Sequence, residues 1–117
     1  MVGSFEAFVV ILQLQLTAAE KAGGVAYAVE APVAAGTRLQ FAGTTIDVPK
    51  EAFLAFIDRD PTANWGHPAR YVLVERENGA VVSVETRRPP FQTGGGLRWR
   101  VVYRAPSVPD AAVAFPQ

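Results

Sequence analysis

The side chains best equipped for chemistry lie in one stretch, Asp58-Arg59-Asp60-Pro61-Thr62-Ala63-Asn64-Trp65-Gly66-His67-Pro68-Ala69-Arg70. Imidazole is the group whose ordinary pKa sits nearest neutrality, and His67 is the only histidine of the chain. With Asp58 or Asp60 to orient its ring, His67 supplies two members of a hydrolytic triad. The nucleophile is missing in any recognisable form. The serines are Ser4, Ser83 and Ser107, none lies in a G-x-S-x-G elbow, and Thr62 carries no motif.

Asp58, Asp60 and Asn64 are oxygen ligands suited to a hard cation, spaced like the start of a calcium loop. The central glycine and terminal glutamate of such a loop are absent. The chain has no cysteine, which excludes disulfides, a thiol nucleophile and thiolate metal sites. Zinc sites draw on three or four protein ligands, and His67 is the sole nitrogen candidate. No metal and no cofactor are expected.

The same residues also make an ordinary loop, and that is the preferred reading. Asp60-Pro61 starts a turn, Asn64 bonds to neighbouring backbone, and Gly66 permits a conformation other residues avoid. Trp65 plugs one end of the core, its N–H seeking a carbonyl. His67 is held extended by Pro68, and Arg70 is expected to pair with Asp58 or Asp60. A loop on a rigid scaffold remains a natural place for binding residues.

Charge is unevenly spread. Residues 1–68 hold four basic and seven acidic side chains, net −3, and residues 69–117 hold seven arginines and four acids, net +3. Arg87 and Arg88 lead into Pro89-Pro90-Phe91, a semi-rigid extended segment in which an exposed Phe91 would anchor a protein partner. Strand alternation over residues 97–104 puts Arg98, Arg100 and Arg104 on one face and Leu97, Trp99, Val101 and Tyr103 on the other. The whole chain carries 11 basic and 11 acidic residues, and the aromatics point away from the arginines, so nucleic acid is disfavoured as a partner.

The scaffold follows from composition and punctuation. Its 117 residues suit one domain, with an irregular proline-containing tail over 105–117. Valine and isoleucine number 19 against 8 for leucine and methionine, which favours strands. Period-two patterns place strands over 5–16, 25–33, 38–41, 45–48, 70–76, 80–88 and 97–104. Residues 49–57 are ambiguous, with a lean to strand. Thr17 and Glu20 fit a capping box, and Gly23-Gly24 a helix stop. Asn78-Gly79 fits a two-residue hairpin turn pairing Leu73 with Val84 and Tyr71 with Thr86. The expected core is Leu12, Leu14, Leu16, Phe41, Ile46, Leu73, Val84, Trp99 and Val101.

The fold expected is mostly β, an antiparallel sandwich or small barrel of about seven strands with one or two short helical turns. The longest uncharged run has thirteen residues, against about twenty for a membrane span, and the positively charged start of a secretory signal is missing. A soluble, cytoplasmic protein is expected. The expected function is non-enzymatic binding of another protein or of a second copy, through end loops or a strand edge. Its surface would draw on Asp58, Asp60, Asn64, Trp65, His67, Arg70, Arg87, Arg88 and Phe91. The alternative is a small enzyme or metal-dependent protein using the Asp58–His67 loop.

Overall fold

In the computed structural model, which describes residues 1–41, 43–64, 66–90 and 97–113, Ser4 opens a helix and not a strand. Its side chain accepts from the Ala7 N–H at 3.1 Å, satisfying one of the donors a first helical turn leaves unpaired. Helix α1 spans Phe5–Gln15, which corrects the strand expected over 5–16. Phe8 and Leu12, with Leu16 just beyond the end, form an apolar stripe at helical spacing. The Phe8 ring stacks on Phe53 with centroids 4.9 Å apart. Leu12, Leu14 and Leu16 satisfy a period of two, but Leu14 is 75% exposed and leaves the expected core.

Helix α2, Ala18–Gly23, has the capping box its sequence announces. The Thr17 hydroxyl accepts from the Glu20 N–H at 3.1 Å, and the Glu20 carboxylate accepts from the Thr17 N–H at 2.8 Å. The helix stops at Gly23-Gly24 as expected, with Gly24 in an extended conformation, φ −102°. Its role is close approach: a Cβ there would lie 2.7 Å from the Glu20 carbonyl oxygen and 2.9 Å from that of Asp58.

Among the described residues seven strands follow: β1 Val25–Val29, β2 Arg38–Phe41, β3 Thr44–Asp47, β4 Ala52–Asp58, β5 Ala69–Glu75, β6 Val81–Thr86 and β7 Trp99–Arg104. All pairings are antiparallel. Five strands form one sheet in the order β6-β5-β4-β1-β7, and β2 and β3 form a separate hairpin. The sheet is not closed into a barrel, since β6 and β7 each have one neighbour.

Two different layers cover the sheet. Phe8, Leu12 and Leu16 pack on the face bearing Ala26, Ala28, Phe53, Ala55 and Ile57. Leu39, Phe41, Ile46 and Val48 of the hairpin region pack on the face bearing Tyr27, Leu54, Phe56 and Tyr71. A helical layer therefore stands where a sandwich would have placed a second sheet. Burial on both faces also explains the continuous apolar run of β4, whose seven residues are all buried. The lean to strand over 49–57 holds from Ala52 onward.

Three registers depart from expectation. β1 stops at Val29, after which only Val33 pairs, with Ala52. The β5–β6 hairpin pairs Leu73 with Val82 and Tyr71 with Val84, two residues away from the expected register. Its loop has four residues: the Glu75 N–H donates to the Ala80 carbonyl at 2.8 Å, and Gly79 is at φ +73°. Asn78 needs no positive φ, because its Oδ1 accepts from the Ala80 N–H at 2.9 Å.

The third is a β-bulge. Ala26 pairs with Tyr103 but Tyr27 pairs with Val101, so Val102 is unmatched. The extra residue reverses the alternation, and Arg104 lies on the opposite face from Arg100. That overturns the expected arginine row. Tyr103 turns to the helical face, where its hydroxyl donates to the Lys21 carbonyl. Val84, Trp99 and Val101 of the expected core are only partly buried. In the tail, Ala105 and Val108 join the core ahead of a 3-10 turn, Asp110–Ala112. Among the described residues no helix is long and apolar enough to cross a membrane.

Candidate functional site

The loop between β4 and β5 begins where the ladder pair Asp58–Ala69 closes. Asp58 shares a face with its ladder partners Val25 and Ala69, which belong to the hairpin-side core. It is 2% exposed. Its Oδ1 accepts from His67 Nε2 at 2.7 Å and from the Asp60 N–H at 3.0 Å. The other ring nitrogen, Nδ1, faces the Asn64 carbonyl oxygen at 2.8 Å. Both ring nitrogens thus lie against oxygen atoms of the same loop, which fixes the ring's orientation. Asp58, Asp60, Asn64 and His67 are brought together, with Asp60 and Asn64 contributing backbone atoms. Among the described residues no group of three or more His, Cys, Asp and Glu is placed to hold a metal ion.

Arg70 does not join that cluster. It lies on the helical face, paired across the sheet with Ile57 and Glu85. Its Nε and Nη2 donate to the two oxygens of Glu20 at 2.9 Å each, Nη2 also reaches the Gln15 carbonyl at 3.0 Å, and Nη1 reaches Ser83 Oγ at 2.6 Å. The expected pairing with Asp58 or Asp60 fails because strand alternation sends Asp58 and Arg70 to opposite faces.

Arg59 extends this network. Its Nε donates to Glu20 at 2.9 Å, and its Nη1 and Nη2 grip Glu85 at 2.6 and 3.1 Å. Burial pushes the Glu20 carboxyl up, but hydrogen bonds from Arg70, the Thr17 N–H and Arg59 outweigh it and hold the group below its ordinary range. The Arg59 hydrogen bond does the same for Glu85. Two guanidiniums and two carboxylates balance, so the network is neutral.

Arg87 and Arg88 lie past the end of β6. Gly66 and Arg87 are joined twice, by Gly66 N–H to the Arg87 carbonyl at 3.1 Å and by Arg87 Nη1 to the Gly66 carbonyl at 2.8 Å. The Arg88 carbonyl accepts from the Tyr71 hydroxyl at 3.4 Å, and burial raises the Tyr71 pKa. Arg87 and Arg88 border an open cavity of about 520 Å³, shared with Gly43, Thr44, Pro68, Glu85 and Thr86. Thr44 and Thr86 meet through their hydroxyls at 2.7 Å. Trp65 and Phe91 lie outside the described residues.

Sequence reasoning missed Gly43, Thr44 and Thr86 as neighbours of the arginines. The signal available was Gly43 as a turn between two short strands, but not where that turn would land. It also missed the edge position of β6, which depends on strand order. The opposite edge differs: Gln13 Nε2 donates to the Val102 carbonyl of β7 at 3.2 Å, and the Arg100 guanidinium sits 5.1 Å from the Phe5 ring centroid.

Fold and site together define a mostly antiparallel β domain, helices on one face and a hairpin on the other. No protein-family model, no curated protein and no solved structure matches the chain.

Proposed function

We propose that the protein is a non-enzymatic binding module that takes an extended segment of another protein, or of a second copy, along the outer edge of β6. The observation that carries this reading is the character of that edge. Among the described residues β6 has a hydrogen-bonded neighbour on one side only. Its sequence, Val81-Val82-Ser83-Val84-Glu85-Thr86, contains none of the prolines or lysines that commonly blunt an edge.

Because Glu75 N–H bonds to the Ala80 carbonyl, alternation turns the backbone groups of Val81, Ser83 and Glu85 away from β5. Those donors and acceptors suit strand addition, and Val82, 46% exposed, offers an apolar contact beside them. The loop carrying His67 supports this role by holding the end of β6 in place through Gly66 and Arg87. The engagement of both His67 ring nitrogens counts against the enzyme and metal alternative.

The test is a pull-down with wild type and Val82→Lys as baits, both shown folded by circular dichroism. Hydrogen exchange is then measured on the wild-type complex. Strand addition predicts a partner lost with Val82→Lys, and slowed exchange at Ser83 and Glu85. A partner retained by the variant, with those amides unprotected, would overturn the reading.

A further inference from the structure

We infer that the segment docking on β6 carries an acidic side chain, which seats between Arg87 and Arg88 in the cavity where that strand ends. This rests on the strand-addition reading and names the partner's chemistry. The cavity of about 520 Å³ is bounded by Glu85, Thr86, Arg87 and Arg88 from β6 and its continuation, by Gly43 and Thr44 from the β2–β3 turn, and by Pro68. A strand laid along β6 advances about 3.3 Å per residue, so one or two residues carry it past Thr86 and into this space.

Charge decides what fits there. Among the described residues Glu85 is the one carboxylate of the lining, and both its oxygens are gripped by Arg59. Arg59 and Arg70 in turn share Glu20. The four-residue network is neutral within itself and contributes nothing to offset Arg87 and Arg88. Among the described residues neither of those guanidiniums meets a carboxylate.

Arg87 has one nitrogen fixed on the Gly66 carbonyl, which limits its rotamers without using its remaining donors. The joined hydroxyls of Thr44 and Thr86 add polar groups to the wall. Two guanidiniums and a hydroxyl pair recognise one carboxylate well. A polyanion is a poor match, because Glu85 and the apolar Val82 lie along its path on an uncharged molecule.

The experiment selects random dodecamer peptides displayed on phage against the full chain. The strongest peptide is then synthesised in its acidic form and with each Asp or Glu replaced by its amide. Binding to wild type, Val82→Lys and Arg87→Gln/Arg88→Gln is measured by fluorescence anisotropy, after circular dichroism shows each variant folded.

The acidic form should bind wild type about tenfold more tightly than the amide form, the scale of a charge-assisted hydrogen bond. That difference should vanish in the double arginine variant. Equal binding of the two forms, with both lost in Val82→Lys, would overturn the acidic side chain and leave strand addition standing. Failure to select any peptide, or binding indifferent to Val82→Lys, would overturn strand addition and this inference together.

Discussion

Glu20 and Arg70 stand fifty positions apart and meet through two parallel hydrogen bonds of 2.9 Å each. The carboxylate comes from a six-residue helix that buries no other side chain. α2 is therefore held to the sheet by a polar contact and not by an apolar face. Such a short helix has little stability of its own, and the pair fixes where it lies.

Removing one partner should reveal that dependence. Glu20→Ala leaves Arg70 and Arg59 buried or half-buried without their shared carboxylate, and should cost about 3–5 kcal/mol in urea unfolding. Glu20→Met with Arg70→Met, which removes both charges, should cost less than the single change. A double variant as unstable as Glu20→Ala would show that packing, not uncompensated charge, is what the network supplies.

The same network sets an acid limit. The Glu20 and Glu85 carboxyls are held below the ordinary glutamate value of 4.5 in the folded protein. Each thus contributes stability that is fully present above that value and is lost as pH falls through the lower, folded-state pKa. Stability measured from pH 6 to pH 2 should fall steeply below about 4.5. Glu20→Gln, already weaker at neutral pH, should show a shallower fall. Parallel curves for the two proteins would contradict this.

Helical and strand readings of the N-terminal segment separate cleanly by mutation. Phe8→Ala removes a ring buried against Phe53 and should cost about 3–5 kcal/mol. Leu14→Ala should change stability by less than about 0.5 kcal/mol, as surface changes do. A large loss at Leu14 would restore the strand arrangement, in which Leu12, Leu14 and Leu16 share a face.

Gly24 gives a test of close approach. Its φ of −102° is open to any residue, so backbone strain predicts no penalty for alanine. The two carbonyl oxygens within 3 Å of an added Cβ predict otherwise. Gly24→Ala should be destabilised by about 1–3 kcal/mol, the range for overpacking, whereas Gly23→Ala, with open space around it, should not.

What the sequence made legible was local. The Thr17–Glu20 capping box, the turn at Gly43 and the loop around Asn78-Gly79 are signals contained within a few residues, and each marks a real boundary. α1 was misread because its apolar residues exceed the stripe it buries, so two periods fitted at once. The Arg70 partner was misassigned for a different reason. Asp58 and Asp60 are near it in sequence, and only the alternation of β4 and β5 together with the position of α2 brings Glu20 closer. The bulge at Val102 has no residue signature, since it arises from what β1 opposes to it.

That unmatched residue also bears on how the chain can be made. β1 emerges early and pairs on one side with β4, but its other side waits for β7, whose Trp99 and Val101 meet the hairpin layer while Tyr103 reaches back to α2. Until residues 99–104 have left the ribosome, β1 presents an apolar, unpaired flank. The interval before β7 docks is therefore when the growing chain is most exposed to aggregation.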